Sequence, residues 1–134
     1  MIDYMNEIFN AVAKDVRAAH SGVTVIGEYT RKPSKFPALT LDEIQNVTVN
    51  DLVDSSDEEK FSGLTYRVQA FSNKQSGKKA EARAIFATAD KAMLGLGFRR
   101  VTYTTTPEIY ESTIYSITAT YEAVVDANGV TYKR

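Results

Sequence analysis

The sequence predicts an α+β fold: a mainly antiparallel sheet with two helices packed on one face, in the order α-β-β-β-α-β-β plus a terminal hairpin. Two stretches carry apolar residues at three- and four-residue spacing, the mark of an amphipathic helix. Most of the remainder alternates with period two or is rich in β-branched and aromatic residues. The strands come in runs separated by the helices rather than alternating one-to-one with them, which favours an antiparallel sheet over a doubly wound one. With 134 residues and no linker or repeat along the way, residues 1–134 form a single domain with room for one core.

The first helix rests on Ile2, Met5, Ile8, Phe9, Val12 and Val16, with Asn6, Glu7, Asn10, Lys14 and Arg17 opposite and a stop at Ser21-Gly22. Val23 to Thr30 then reads as a strand. Pro33 and Pro37 bracket a basic turn, Arg31 to Lys35, which cannot be an interior strand. Phe36–Leu41 and Ile44–Val49 read as two short strands interrupted near Asp42-Glu43. Asn50 to Lys60, with Asp51, Asp54, Asp57, Glu58 and Glu59, reads as an exposed acidic loop. Phe61 to Ser72 alternates, placing Leu64, Tyr66, Val68 and Ala70 on one face.

A second helix follows, with Ser76 as candidate N-cap and a stripe of Ala82, Ile85, Phe86, Ala89, Met93 and Leu96. Gly95 and Gly97 end it, and Phe98 is placed to pack back. Arg99–Thr106 and Ile114–Val125 are strands, the latter with Tyr115, Ile117, Ala119, Tyr121 and Ala123 on one face. Asn128-Gly129 is a two-residue hairpin signal returning through Val130, Thr131 and Tyr132.

Composition narrows function by exclusion. The chain is 43% hydrophobic and 25% charged, with a net charge of -1, which lacks the basic surplus of a dedicated duplex-DNA binder. It has no cysteine and one histidine, His20, so disulfide scaffolds, zinc ribbons, thiol nucleophiles and multi-imidazole sites are out. No signal peptide or 18-residue apolar run is present, and a chain made and kept in the cytosol is expected.

Individual motifs point no further. Ser76-Gly77-Lys78-Lys79 lacks the first glycine and the final Ser or Thr of a phosphate loop, because Ser72 and Lys79 occupy those positions. The acidic loop offers hard oxygen ligands, yet its spacing of three and missing central glycine are not those of a calcium loop. His20 sits where a helix ends and suits a capping role. Glu108 and Glu111 flank Tyr110 at a Thr-rich turn, with no apolar pocket to raise a catalytic carboxyl. Asn46-Val47-Thr48 is a sequon that a chain kept from secretion never exposes. The expectation is no enzyme, no cofactor and no metal. What stands out is β-rich and low in charge: seven threonines between Thr102 and Thr120, interleaved with Tyr103, Tyr110 and Tyr115. Such a strand, left at an edge, seeks a partner; the alternative is that both its faces are covered within the monomer.

The order of elements, with "KFPALTLDEI", then "YRVQAFSNKQSGKKAEARAIFATADKAMLGLGF", then "RRVTYTTTPEIYESTIYSITATYEAVVD", resembles the tail terminator, or tail-completion and head–tail joining, proteins of long-tailed bacteriophages. The resemblance runs from Ile2 to Lys133, and Tyr66 to Arg100 is its most telling block. It implies a structural virion protein at the tail–head interface, assembled in the host cytoplasm: a hexameric ring that caps the tail tube, stops its growth and docks to the head connector. Its partners would be copies of itself, tail tube protein and a head-completion protein, with DNA passing through unbound and no membrane involved. Head-closure and neck connectors are the neighbouring alternative, and a small cytosolic ligand-binding α+β domain the alternative of another class. Asp51, Asp54, Asp57, Glu58 and Glu59 are the candidate lumen or docking loop. Arg31, Lys32 and Lys35, of opposite charge, are candidate inter-subunit contacts of the head-to-tail kind that closes rings.

Overall fold

The structure, a computed structural model, describes residues 3–48, 61–107, 113–126 and 131–132. Helix α1, Met5–Ala19, starts where the Asp3 carboxylate accepts the Met5 N–H at 3.1 Å and buries Ile8, Val12, Ala13 and Val16. Strand β1, Thr24–Ile26, is shorter than the sequence predicts. It pairs parallel with β2, Ala38–Thr48, and a parallel neighbour obliges the chain to leave the sheet and return to the starting end. Residues 27–37 make that return, so Tyr29 and Thr30 lie in the crossover and not in the strand.

The two expected short strands are one. β2 runs unbroken against β3, Phe61–Ser72, with a register shift between Glu43 and Gln45. A β-bulge absorbs the extra residue there, which is why the alternation breaks near Asp42-Glu43 without ending the strand. β3 pairs antiparallel along its whole length with β5, Tyr115–Asp126. β5 pairs on its other side with β4, Arg99–Pro107, and beyond β4 with β6, Thr131–Tyr132. The sheet order is β1-β2-β3-β5-β4, with β6 on β5.

Helix α2, Lys78–Gly95, is capped by Gly77 in the left-handed conformation rather than by Ser76. A residue at φ +89° favours glycine, and no side chain bonds the cap. Ser72 Oγ instead donates to the Glu81 carboxylate at 2.7 Å, tying the first turn to the end of β3. The C-terminus closes as a Schellman motif: the Phe98 N–H reaches the Met93 carbonyl at 3.1 Å and the Gly97 N–H the Leu94 carbonyl at 3.0 Å, with Gly97 at φ +94°. Phe98 then packs edge-on to Tyr66.

Both helices cover one face of the sheet. Ile8, Val12, Val16, Ile85, Phe86 and Met93 share a single core with Leu39, Leu41, Leu64, Tyr66, Val68, Ile117 and Tyr121. A smaller cluster of Ala38, Phe71 and Ile114, joined by Phe36, lies on the other face, so the crossover shields that side at the start of β2.

Candidate interaction surfaces

Three features of the surface derive from this arrangement. The first is the clamp on the crossover. Arg67, on β3, faces away from the helices and makes a paired contact with Asp42 on β2, 3.1 and 2.6 Å, while the Tyr29 ring lies 4.2 Å from its guanidinium carbon. A planar cation held in two directions by a carboxylate and in the third by an aromatic face fixes the 27–37 segment to the sheet. Arg31, Lys32 and Lys35 ride on that segment, all exposed.

The second is the outer strand. β4 ends the sheet, and among the described residues no strand pairs with its outer edge. Positions 101–105 are all exposed, and Val101 and Tyr103 keep 44% of their surface in water. The register shift between Arg100 and Thr102 bends the start of this strand, but 102–107 pair regularly and remain a usable template. Thr102 and Thr120 exchange a hydroxyl bond of 2.7 Å on the face away from the helices.

Beside this edge, α2 and β4 enclose a cleft of about 330 Å³ lined by Arg83, Phe86, Ala87, Asp90, Arg100 and Tyr103. Its floor is aromatic, with Phe86 and Tyr103 edge to face at 5.2 Å between centroids. Its polar end is a three-residue network. Asp90 Oδ1 accepts from the Tyr121 hydroxyl at 2.6 Å and from Arg100 at 3.0 Å. Burial, followed by the hydrogen bond to Asp90 and its charge, raises the Tyr121 phenol well above its ordinary value, with Arg100 opposing. The phenol therefore stays a donor, and Arg100 is held at the mouth of the cleft. Arg83 is exposed, about two turns before the acidic group at Asp90.

The third is a shallow groove between the helices, floored by Ala11, Ala18, Ala19, Ala92 and Gly95 with Asp15 and Lys91 at its lips. His20 closes one end. The Thr88 hydroxyl donates to the Ala84 carbonyl, so in its 2.8 Å contact with His20 Nε2 the ring nitrogen is the donor. His20 also caps α1 through its own N–H to Val16, and its role is to join the two helices.

The structure brings few of the sequence candidates together. Asp51, Asp54, Asp57, Glu58 and Glu59 lie outside the described residues, as do Glu108, Tyr110, Glu111 and the Asn128-Gly129 turn. The ends of their segment are described: Thr48 and Phe61 sit at one end of the sheet, and the basic crossover enters at the other, before Ala38. An eleven-residue strand separates those ends from the entry of the crossover by about 35 Å. Sequence reasoning missed Arg83, Asp90 and Tyr121 as a group because they are united only by the α2–β4 packing. Among the described residues, no three His, Asp or Glu groups gather as a metal site, and no helix is long and apolar enough to cross a membrane.

No family model matches this chain, and no curated protein does. A solved structure does. A chain in the virion of a native gene transfer agent particle superposes with a TM-score of 0.60, covering 87% of this chain and 92% of that one, at 16% sequence identity. The likeness is one of fold. It spans nearly the whole of both chains, so the α+β arrangement described above is shared from end to end and is not a local motif.

Proposed function

We propose that this chain is a structural protein of a phage-like virion, and within it a tail terminator: a hexameric ring that caps the tail tube, halts its growth and presents the surface that docks to the head connector. The observation that carries this reading is the end-to-end likeness of fold to a chain of an assembled gene transfer agent virion. The surface supports it. Among the described residues the outer edge of β4 is unpaired and the crossover presents Arg31, Lys32 and Lys35, features suited to contacts between unlike surfaces of neighbouring copies. Its partners on this reading are further copies of itself, the tail tube protein and a head-completion protein, with genome DNA passing through the ring without being held. It works in the virion, after assembly in the host cytoplasm.

The test is the phenotype of particles made without the chain. A terminator is expected to leave overlong tubes that never join heads. Tails of normal length beside heads that leak their DNA would assign the chain instead to head closure. Particles of normal form and infectivity would overturn the virion reading altogether.

A further inference from the structure

The α2–β4 cleft holds a cation that the fold leaves unanswered. Asp90, the carboxylate in its lining, already accepts from the Tyr121 hydroxyl and from Arg100. Arg83 is exposed, and no ion pair among the described residues includes it. A guanidinium carries five N–H donors, so Arg100 serves Asp90 and still has donors for a second carboxylate. Between the two cations lies the floor of Phe86 and Tyr103, and Tyr103 keeps 44% of its surface in water. Beside them run residues 102–105 of β4, paired regularly with β5 on one side and unpaired on the other among the described residues. Every second residue of such an edge turns its N–H and C=O outward.

We infer that this cleft takes an extended acidic segment of a different protein, laid along β4 as an added strand and carrying the pattern carboxylate–x–apolar–x–carboxylate. The pattern follows from spacing. Arg83 stands seven positions before Asp90 on α2, about 10 Å along the helix axis, and Arg100 is anchored at Asp90. Side chains on one face of a strand recur about every 7 Å. Two carboxylates four residues apart, roughly 14 Å, bracket both guanidinium groups once those long side chains extend. The residue midway between them falls on Phe86 and Tyr103. Ion pairs then set the register, the rings supply apolar contact and the edge backbone supplies hydrogen bonds. The described strands of a second copy do not fit this place. Among the described residues the strands at the sheet margins are β1, β4 and β6, and none of them contains a carboxylate. β4 against β4 would also set the arginines of two copies along one shared edge. The class of partner, a neighbouring virion protein, rests on the virion reading above; the chemistry of the cleft does not.

The probe is a labelled peptide, Thr-Glu-Thr-Val-Thr-Glu-Thr, titrated into the intact chain at low salt by fluorescence anisotropy, with Thr-Lys-Thr-Val-Thr-Lys-Thr as its control. The glutamate peptide should bind with a Kd below about a millimolar, and the lysine peptide should not bind. Arg83→Glu, with unchanged circular dichroism as the control for folding, should weaken binding at least roughly tenfold. N-methylation of alternate peptide residues should abolish binding in the frame that faces β4 and spare it in the other, the signature of an added strand. Equal affinity for the natural chain and Arg83→Glu overturns the inference, as does tolerance of N-methylation in both frames. A peptide that fails to bind at millimolar concentration also overturns it, and rings formed by that same protein leave the ring reading standing. Loss of self-association in Arg83→Glu without any peptide binding gives the cleft to a neighbouring copy and overturns the inference too. Peptide binding by a chain whose removal leaves particles normal upholds the cleft and overturns the virion partner.

Discussion

Tyr66 and Tyr121 are both fully buried, directly opposite each other across β3 and β5, and each hydroxyl donates to a carboxylate: Glu43 at 3.0 Å and Asp90 at 2.6 Å. Burial is the main reason both phenols are held far above the ordinary value of 10.0, and the adjacent negative charges add to it. The unfolded chain thus releases these protons near pH 10 while the folded chain keeps them, and stability falls as pH rises beyond that point. Two such groups give a slope of about 2.7 kcal/mol per pH unit above pH 10. Denaturant unfolding between pH 9 and 11 should show it, and Tyr121→Phe should remove about half. Glu43 behaves in the same sense at lower pH. Desolvation raises its carboxyl above 4.5, with the Tyr66 hydrogen bond opposing, so its contribution is full below that value and is lost as pH rises through the raised one. Glu43→Gln keeps an acceptor for Tyr66 and has no charge to bury. Its stability relative to the natural chain should therefore increase between pH 4 and 7, and a difference that stays flat would contradict the assignment.

At the scale of elements, the turns carry more of the structure than their lengths suggest. Gly97 at φ +94° permits the two bonds that stop α2 and send Phe98 into the core against Tyr66. Gly97→Ala should cost about 1–2 kcal/mol in unfolding free energy, whereas Gly95→Ala, with nothing within 4 Å of an added methyl group and a helical position, should be neutral or stabilising. Arg67 holds the crossover through Asp42 and Tyr29; Arg67→Ala should cost about 1–3 kcal/mol and raise amide exchange across residues 27–37 before it affects β5.

These same places mark how far the sequence could be read. Leu64, Tyr66, Val68 and Ala70 on one face of β3, and the glycine stop after α2, are local patterns set by side-chain period and backbone sterics, and they were legible. The single strand β2 was not, because a bulge shifts the alternation and looks like a break. Nor was the short parallel β1, since parallel pairing is decided by where a distant return segment lands. The cleft was invisible for the same reason: Arg83, Asp90, Arg100 and Tyr121 are brought together by packing between elements, and no spacing along the chain announces it.

At the scale of the molecule, one face of the sheet is closed by helices, the other is partly closed by a crossover, and among the described residues the outer edge of β4 is unpaired. The sequence also segregates charge, with five carboxylates in residues 50–60 and Arg31, Lys32 and Lys35 before the other end of β2. On the ring reading proposed above, both features suit contacts between copies. If exposed charges join the copies of the proposed ring, salt should weaken association by screening them; raising ionic strength from about 0.05 to 0.5 M should shift assembled protein towards monomer, and indifference to salt would deny charge a part in assembly.

Whether copies of this chain form the proposed ring is read from the mass and shape of the purified protein across a concentration series, by light scattering with negative-stain imaging. Six copies of 14.9 kDa predict a species near 89 kDa that images as a ring with a central hole. A 14.9 kDa monomer persisting to concentrations on the order of a millimolar, with no ring in any image, would speak against self-assembly into a ring.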